Sequence, residues 1–201
     1  AREIALAMGK TLKQQVIVDN SPGAGGTIAA KKVMNAPKDG YTVLIHHIGM
    51  STAPGLYKNL GYDPMTDFEH LGMVADVPMV MVANKDLPAK NLTELLAYIK
   101  ANGTKVNYAN AGIGSASHLC GLLFMSAIQQ DMTTVPYKGT APALTDLMGG
   151  QVQLMCDQTT NLAGQLKAGS VKPYGATTMQ RIAAFKDIPT LNEQGLKNFE
   201  V

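Results

Sequence analysis

Asn110-Ala111-Gly112-Ile113-Gly114-Ser115-Ala116-Ser117-His118 decides how the rest of the chain is read. It follows a strand-like run, residues 106–109, and opens a long apolar segment with the look of a helix. A turn of this kind aims several backbone N–H groups at one spot in front of a helix N-terminus. The helix dipole adds partial positive charge there, which suits a carboxylate or a phosphate. Gly112 and Gly114 allow a tight or positive-φ backbone, and Gly114 leaves room for a close ligand. Ser115 and Ser117 bring hydroxyls that can cap the helix or donate to an anion. An ordinary capped helix after a glycine turn carries the same pattern, so spacing alone leaves both readings open.

Downstream of this stretch strand and helix alternate. Strand 106–109 leads to helix 117–129, strand 133–137 to helix 141–148, strand 152–157 to helix 161–168, and strand 171–177 follows. This βαβα order predicts a mostly parallel sheet with helices on both faces. Connections 110–117, 137–141 and 157–161 then open on one rim, where open α/β sheets hold ligands. That placement singles out Tyr137 and Asp157, although each also suits a surface turn.

Upstream, residues 2–14 repeat apolar positions at helical spacing, and residues 15–20 and 41–45 read as strands. Ser21 to Thr27 is a glycine-rich turn before a helix. It lacks the Gly-Lys-Ser/Thr ending of a nucleotide loop and is read as a tight strand-to-helix turn. His46 and His47 end the 41–45 run. On a strand they would face opposite ways, so no shared metal ion is expected. Residues 51–67 read as loop, and 68–84 as a long strand broken near 76–78 that crosses between lobes. Asn91-Leu92-Thr93-Glu94 and Thr190-Leu191-Asn192-Glu193 are capping boxes.

The composition, 46% hydrophobic and 16% charged over 201 residues, is enough for a buried core in one domain or two small lobes. A net charge of +2 and the lack of a Lys/Arg run argue against nucleic acid. No apolar run is long enough to span a bilayer. Cys120 and Cys156 read as two buried thiols, with a disulfide left open because it needs close Cα atoms. No cofactor and no metal site is expected. The chain begins as if inside a helix and stops at Phe199-Glu200-Val201 where a strand would start, so a piece trimmed at both ends is expected.

Several motifs stand in a specific order. They are Asp19 to Gly26, Asp39-Gly40-Tyr41-Thr42, Leu56-Tyr57 with Tyr62-Asp63-Pro64 and Asp67-Phe68, and Gly114 to Leu119. Val135 to Gly139, Gly149 to Val152, and Ile188-Pro189-Thr190 with Glu193-Gln194-Gly195 complete the set. Together they resemble the Bug, or tripartite tricarboxylate transporter, extracytoplasmic solute-binding proteins. The resemblance runs nearly the length of the chain. It departs at the ends, where the family's opening strand and glycine loop and its closing helices find no match.

It implies a two-lobed periplasmic-binding-protein fold (type II) of the α/β class, each lobe a mostly parallel sheet flanked by helices. Lobe I is expected at residues 1–80 plus 175–201 and lobe II at 81–174, with crossovers near 76–84 and 172–178 forming a hinge. The function implied is capture of a small di- or tricarboxylate, or a related organic acid, in the cleft. A periplasmic monomer would then deliver that acid to the membrane subunits of a tripartite transporter. Ile113, Gly114, Ser115, Ala116 and Ser117 match the family's carboxylate-holding loop. His47, Ile48, Gly49, Tyr137 and Asp157 match positions lining its cleft, with Asp157 meeting water, backbone or a ligand hydroxyl or amine. A ligand-sensing module for a signalling partner is the alternative. An enzyme acting on an anionic substrate is less favoured, since Ser115 is no nucleophile elbow and no general-base constellation is evident.

Overall fold

A computed structural model describes all residues, 1–201. Five strands form one sheet: β1 (Met79–Asn84), β2 (Asn107–Asn110), β3 (Thr133–Pro136), β4 (Leu154–Gln158) and β5 (Val171–Ala176). They lie in the order β3-β2-β4-β1-β5. β2 pairs in parallel with β3 and with β4, and β1 pairs antiparallel with β4 and with β5. Four strands therefore share one direction and β1 alone is reversed. β1 is buried along its whole length, as its Met-Val-Met-Val run requires.

The helices cover both faces. α4 (Leu92–Asn102) and α5 (Ala116–Ile128) pack on one side, where Leu92, Leu95, Ile99, Tyr108, Cys120, Phe124 and Leu154 share a core. α6 (Thr140–Met148) and α7 (Thr159–Ala168) pack on the other, around Val80, Val82, Leu144, Leu147, Met155 and Leu162. The first capping box forms: Asn91 Oδ1 accepts the Glu94 N–H at 2.9 Å. The second is reciprocal, Glu193 N–H to Thr190 Oγ1 and Thr190 N–H to Glu193 Oε2, both 2.9 Å, but it caps only a turn. Leu191 and Phe199 from this last segment lie in the α4/α5 core, and Ala176 bridges to Thr190.

Cys120 and Cys156 are joined in a disulfide, which overturns the two-thiol reading. α5 lies directly on the central strands and brings the helix residue Cys120 within 6.2 Å, Cα to Cα, of Cys156 on β4.

The N-terminal part holds α1 (Arg2–Leu12), α2 (Thr27–Met34) and α3 (Gly49–Leu56) around a small core of Ala30, Ala53, Leu60 and Tyr62. The strands expected at 15–20 and 41–45, and the segment 68–78 ahead of β1, join no ladder. A strand exists only where a neighbour takes its backbone hydrogen bonds, and these runs meet none within residues 1–201. α3 replaces the expected loop at its start.

Because β2, β3 and β4 are parallel, their C-terminal ends share one rim. β1 is reversed, so it starts at that rim, and β5 ends there, with Val80 opposite both Asp157 and Ala176. The chain thus enters the sheet at 78–79 and leaves it at 176–177 at the same edge. Thr177 N–H donates to the Met79 carbonyl at 3.0 Å, tying the two crossings together.

Candidate functional site

The turn after β2 sits on this rim. Gly112 has φ 115° and Gly114 φ 81°, which L-residues with side chains avoid. Ser115 caps α5, its Oγ accepting the His118 N–H at 3.2 Å. Other amides are also spoken for. Ala111 N–H goes to Ser117 Oγ at 2.8 Å, Gly112 N–H to Asn110 Oδ1 at 3.0 Å and Gly114 N–H to His118 Nδ1 at 3.2 Å. Ser115 N–H reaches the Gly112 carbonyl at 3.0 Å.

The N–H groups of Ile113, Ala116 and Ser117 find no acceptor in the chain. Two of them are the first amides of α5, where the dipole is strongest. Ser115 Oγ and Ser117 Oγ lie 3.0 Å apart. Only one hydroxyl proton is used between them, so the other remains to donate. Gly112, Gly114, Ser115 and Ser117 are buried, Ala116 is half-buried, and Ile113 is exposed.

Against this turn stands the N-terminal part. Gly25, with φ 61°, packs so closely that an added Cβ would lie 2.1 Å from the Ile113 carbonyl oxygen. Tyr57 donates its hydroxyl to the same oxygen at 2.7 Å. Gly49, the first residue of α3, abuts the Gly114 carbonyl, where a Cβ would come within 2.7 Å. His47 Nδ1 accepts the Gly49 N–H at 2.9 Å, which puts the ring proton of the neutral form on Nε2. Burial, and then the neighbouring His46, lower the His47 pKa to about 4. Burial also lowers that of His118, whose Nδ1 is an acceptor as well. Both rings are therefore neutral at pH 7.

His46 and His47 do not lie on a strand, so the expected opposition of their side chains does not hold. Their rings stand side by side with centroids 4.6 Å apart. His46 Nδ1 donates to the His47 carbonyl, and its buried Nε2 has no partner. No three His, Cys, Asp or Glu side chains cluster in metal-ligating positions. Ile48 is exposed at the tip of the same segment.

Tyr137 and Asp157 reach the rim by their backbones, but their side chains are already engaged. Tyr137 N–H pairs with the Asn110 carbonyl at 2.9 Å, while its hydroxyl donates to Asp146 Oδ2 at 2.7 Å. Burial first, then that carboxylate, push the phenol up to about 12. Asp157 is buried and accepts from Gln158 N–H at 2.6 Å, Thr140 Oγ1 at 2.6 Å and Asn161 Nδ2 at 3.0 Å. Burial raises its pKa and these donors pull it back. It faces α6 and α7, across the sheet from α5, and its carboxylate is held by Thr140 and Asn161.

The turn 113–117 and the 47–49 segment are thus brought together, while Tyr137 and Asp157 stand behind them. Gly25, Tyr57, Asn110, Thr140 and Asn161 were not singled out by sequence. Gly25, Tyr57 and Asn110 lie inside sequence motifs, the glycine run 23–26, Leu56-Tyr57 and the 110–118 stretch, but without an assigned role.

The chain is similar over its whole length to several known proteins. The chain is 52% identical to the periplasmic binding protein BugD over its whole length, with a TM-score of 0.95, and covers 67% of that chain. It is 39% identical to MatC from Rhodopseudomonas palustris, solved with bound malate, with a TM-score of 0.93, covering all of this chain and 69% of MatC. An R. palustris protein solved with adipate is 35% identical, with a TM-score of 0.95, covering all of this chain and 67% of its own. A UPF0065 protein of Agrobacterium vitis is 48% identical over 201 residues, all of this chain but 58% of that relative. The profile of the tripartite tricarboxylate transporter family receptor, TctC, matches residues 1–201, and the chain belongs to that family.

Proposed function

We propose that this protein is a periplasmic solute-binding protein. It captures a small carboxylate at the turn 113–117 and presents it to the membrane subunits of a tripartite transporter, without chemical turnover. The observation that carries the reading is the set of unpartnered amides on Ile113, Ala116 and Ser117 at the N-terminus of α5. No hydrogen bond of residues 110–118 involves Lys or Arg. The grip is therefore made of dipoles, which suits one carboxylate group. Malate and adipate, bound by two family members, are acids of this kind. The Cys120–Cys156 disulfide supports an oxidising compartment.

Hinge closure supplies the mechanism. An acid bridging the two halves favours the closed arrangement by its greater affinity for it. The crossings at 78–79 and 176–177 are the proposed hinge. Residues 1–78 are proposed as one lobe and the sheet as the other; residues 188–201, expected in the first lobe, are placed with the sheet because Leu191 and Phe199 lie in the α4/α5 core.

The test is a thermal-shift screen of the full chain with malate, adipate and related acids. At a hundredfold excess over Kd, binding adds about 2.7 kcal/mol, a rise of roughly 5–10 °C in Tm for a chain of this size. Ser115→Glu places a carboxylate where the ligand's belongs and abolishes the shift while the protein still folds. Unchanged acid affinity in that variant, measured by calorimetry, sinks the site.

A further inference from the structure

Asn110 closes β2 beneath the first turn of α5. Residues two apart on a strand share a face, so Asn110 lies on the side of Tyr108, whose hydroxyl donates to the Ser117 carbonyl at 2.6 Å. Asn110 is fully buried. Its Oδ1 accepts the Gly112 N–H at 3.0 Å, which fixes the amide's orientation. Turning it over would set an NH2 against an N–H. Its Nδ2 has no hydrogen-bond partner anywhere in the chain.

A buried donor left without an acceptor is costly, comparable to a lost hydrogen bond. The chain keeps this one beside the free N–H groups of Ile113, Ala116 and Ser117. All four are donors, and the bond from the Gly112 N–H to Asn110 Oδ1 keeps the Asn110 amide at this turn.

We propose that Asn110 is a binding residue: its Nδ2 donates to the acid group held at the N-terminus of α5, directly or through one ordered water. The inference rests on the carboxylate reading above and sharpens it. A pole built of four donors accepts a group that only accepts hydrogen bonds. It takes an ionised acid and refuses the corresponding primary amide, whose NH2 would meet N–H groups.

Asn110→Asp tests this. The variant keeps the shape and the acceptor for the Gly112 N–H but replaces the donor by a second, charged acceptor. Asn110→Ser is the conservative partner, since a hydroxyl can accept from Gly112 and still donate. The full chain is titrated calorimetrically with malate and with adipate. Whichever acid the wild type binds is expected to bind Asn110→Asp at least about 30-fold more weakly, and Asn110→Ser within about fivefold. An Asn110→Asp protein that melts like the wild type and binds within twofold of it overturns the proposal. If Asn110→Asp fails to fold, Asn110→Ala takes its place. Affinity roughly tenfold below that of Asn110→Ser supports the proposal, and equal affinities overturn it. Wild-type protein that binds no acid overturns the carboxylate reading and this inference with it. Wild-type binding with indifferent variants overturns Asn110 alone.

Discussion

The disulfide can be removed and its worth measured. Cys120 and Cys156 are 36 residues apart, and the loop they close contains the rest of α5, β3, α6 and the start of β4. On the chain-entropy account, closing a loop of that length removes about 4 kcal/mol of freedom from the unfolded chain. Nothing else about the α5 packing needs to change when the bond is cut. Tyr108 still reaches Ser117 from below, and Phe124 still lies in the core with Phe199 against it. The double variant Cys120→Ala/Cys156→Ala is therefore expected to fold and to melt roughly 8–15 °C below the oxidised wild type. Urea titration gives the same comparison as a free energy, and reaction with a thiol reagent checks the starting state. The native protein should show no free thiol and the reduced, unfolded protein two. A melting point within about 2 °C of the wild type refutes the loop-closure reasoning. Two reactive thiols in the untreated protein refute the bond itself.

Acidification should weaken the protein through His47. Its pKa falls from 6.5 in the unfolded chain to about 4 in the fold. Below pH 6.5 the unfolded chain takes up a proton that the native one refuses, so stability is full above that value and drains away as pH falls toward 4. The loss reaches about 3 kcal/mol at most. His47→Asn keeps an acceptor for the Gly49 N–H, and its urea midpoint should fall less steeply over that range. Equal slopes would exclude His47 as the cause, and the burial of His118 in the same direction leaves some slope in either protein. Gly25→Ala should push the 21–27 turn off the Ile113 carbonyl and cost acid affinity roughly tenfold or more. Gly40→Ala, also at positive φ but with no heavy atom within 4 Å of the added Cβ, should cost about 1–2 kcal/mol of stability and leave affinity alone. Calorimetric titration of both variants separates an effect at the junction from a general cost of left-handed alanine.

The region from β1 to β5 was legible because its signals are local. Asn91 and Glu94 mark the start of α4, Gly103 its end, and short β-branched or apolar runs mark the strands. Two features of that region were not local. β1 is reversed because the chain arrives from the N-terminal half at the rim where the other strands finish. The cysteine pairing depends on α5 lying over β4. The N-terminal half was harder. Val16-Ile17-Val18 and Tyr41 to Ile45 carry strand propensity, but pairing is a property of neighbours, and Ile17, Val43 and Ile45 are exposed. α3 was missed for the opposite reason. Gly49-Met50-Ser51-Thr52-Ala53-Pro54-Gly55-Leu56 holds two glycines and a proline, poor helix formers, and Ala53 packing in the small core is what holds it. At the site, the glycine-serine turn announced itself. Its partners appeared only as members of motifs, since Gly25, Tyr57 and Asn110 matter for where the fold delivers them.

Ile113 explains why the junction and the grip belong together. Its carbonyl oxygen is held from the N-terminal half by the Tyr57 hydroxyl, with Gly25 packed against it, while its own N–H is among the free donors. The oxygen can be held this way only when the two halves meet. An open molecule would leave that turn less constrained, with its amides less well aimed. On the proposed hinge-closure reading, docking of the halves pre-organises the donors, and an acid that uses them draws the halves together, because each event lowers the entropy cost of the other. The glycines at 25, 49 and 112 make this possible by removing side chains where two backbones come within contact distance. On that reading the selectivity of the site and the closure of the molecule rest on the same few peptide groups.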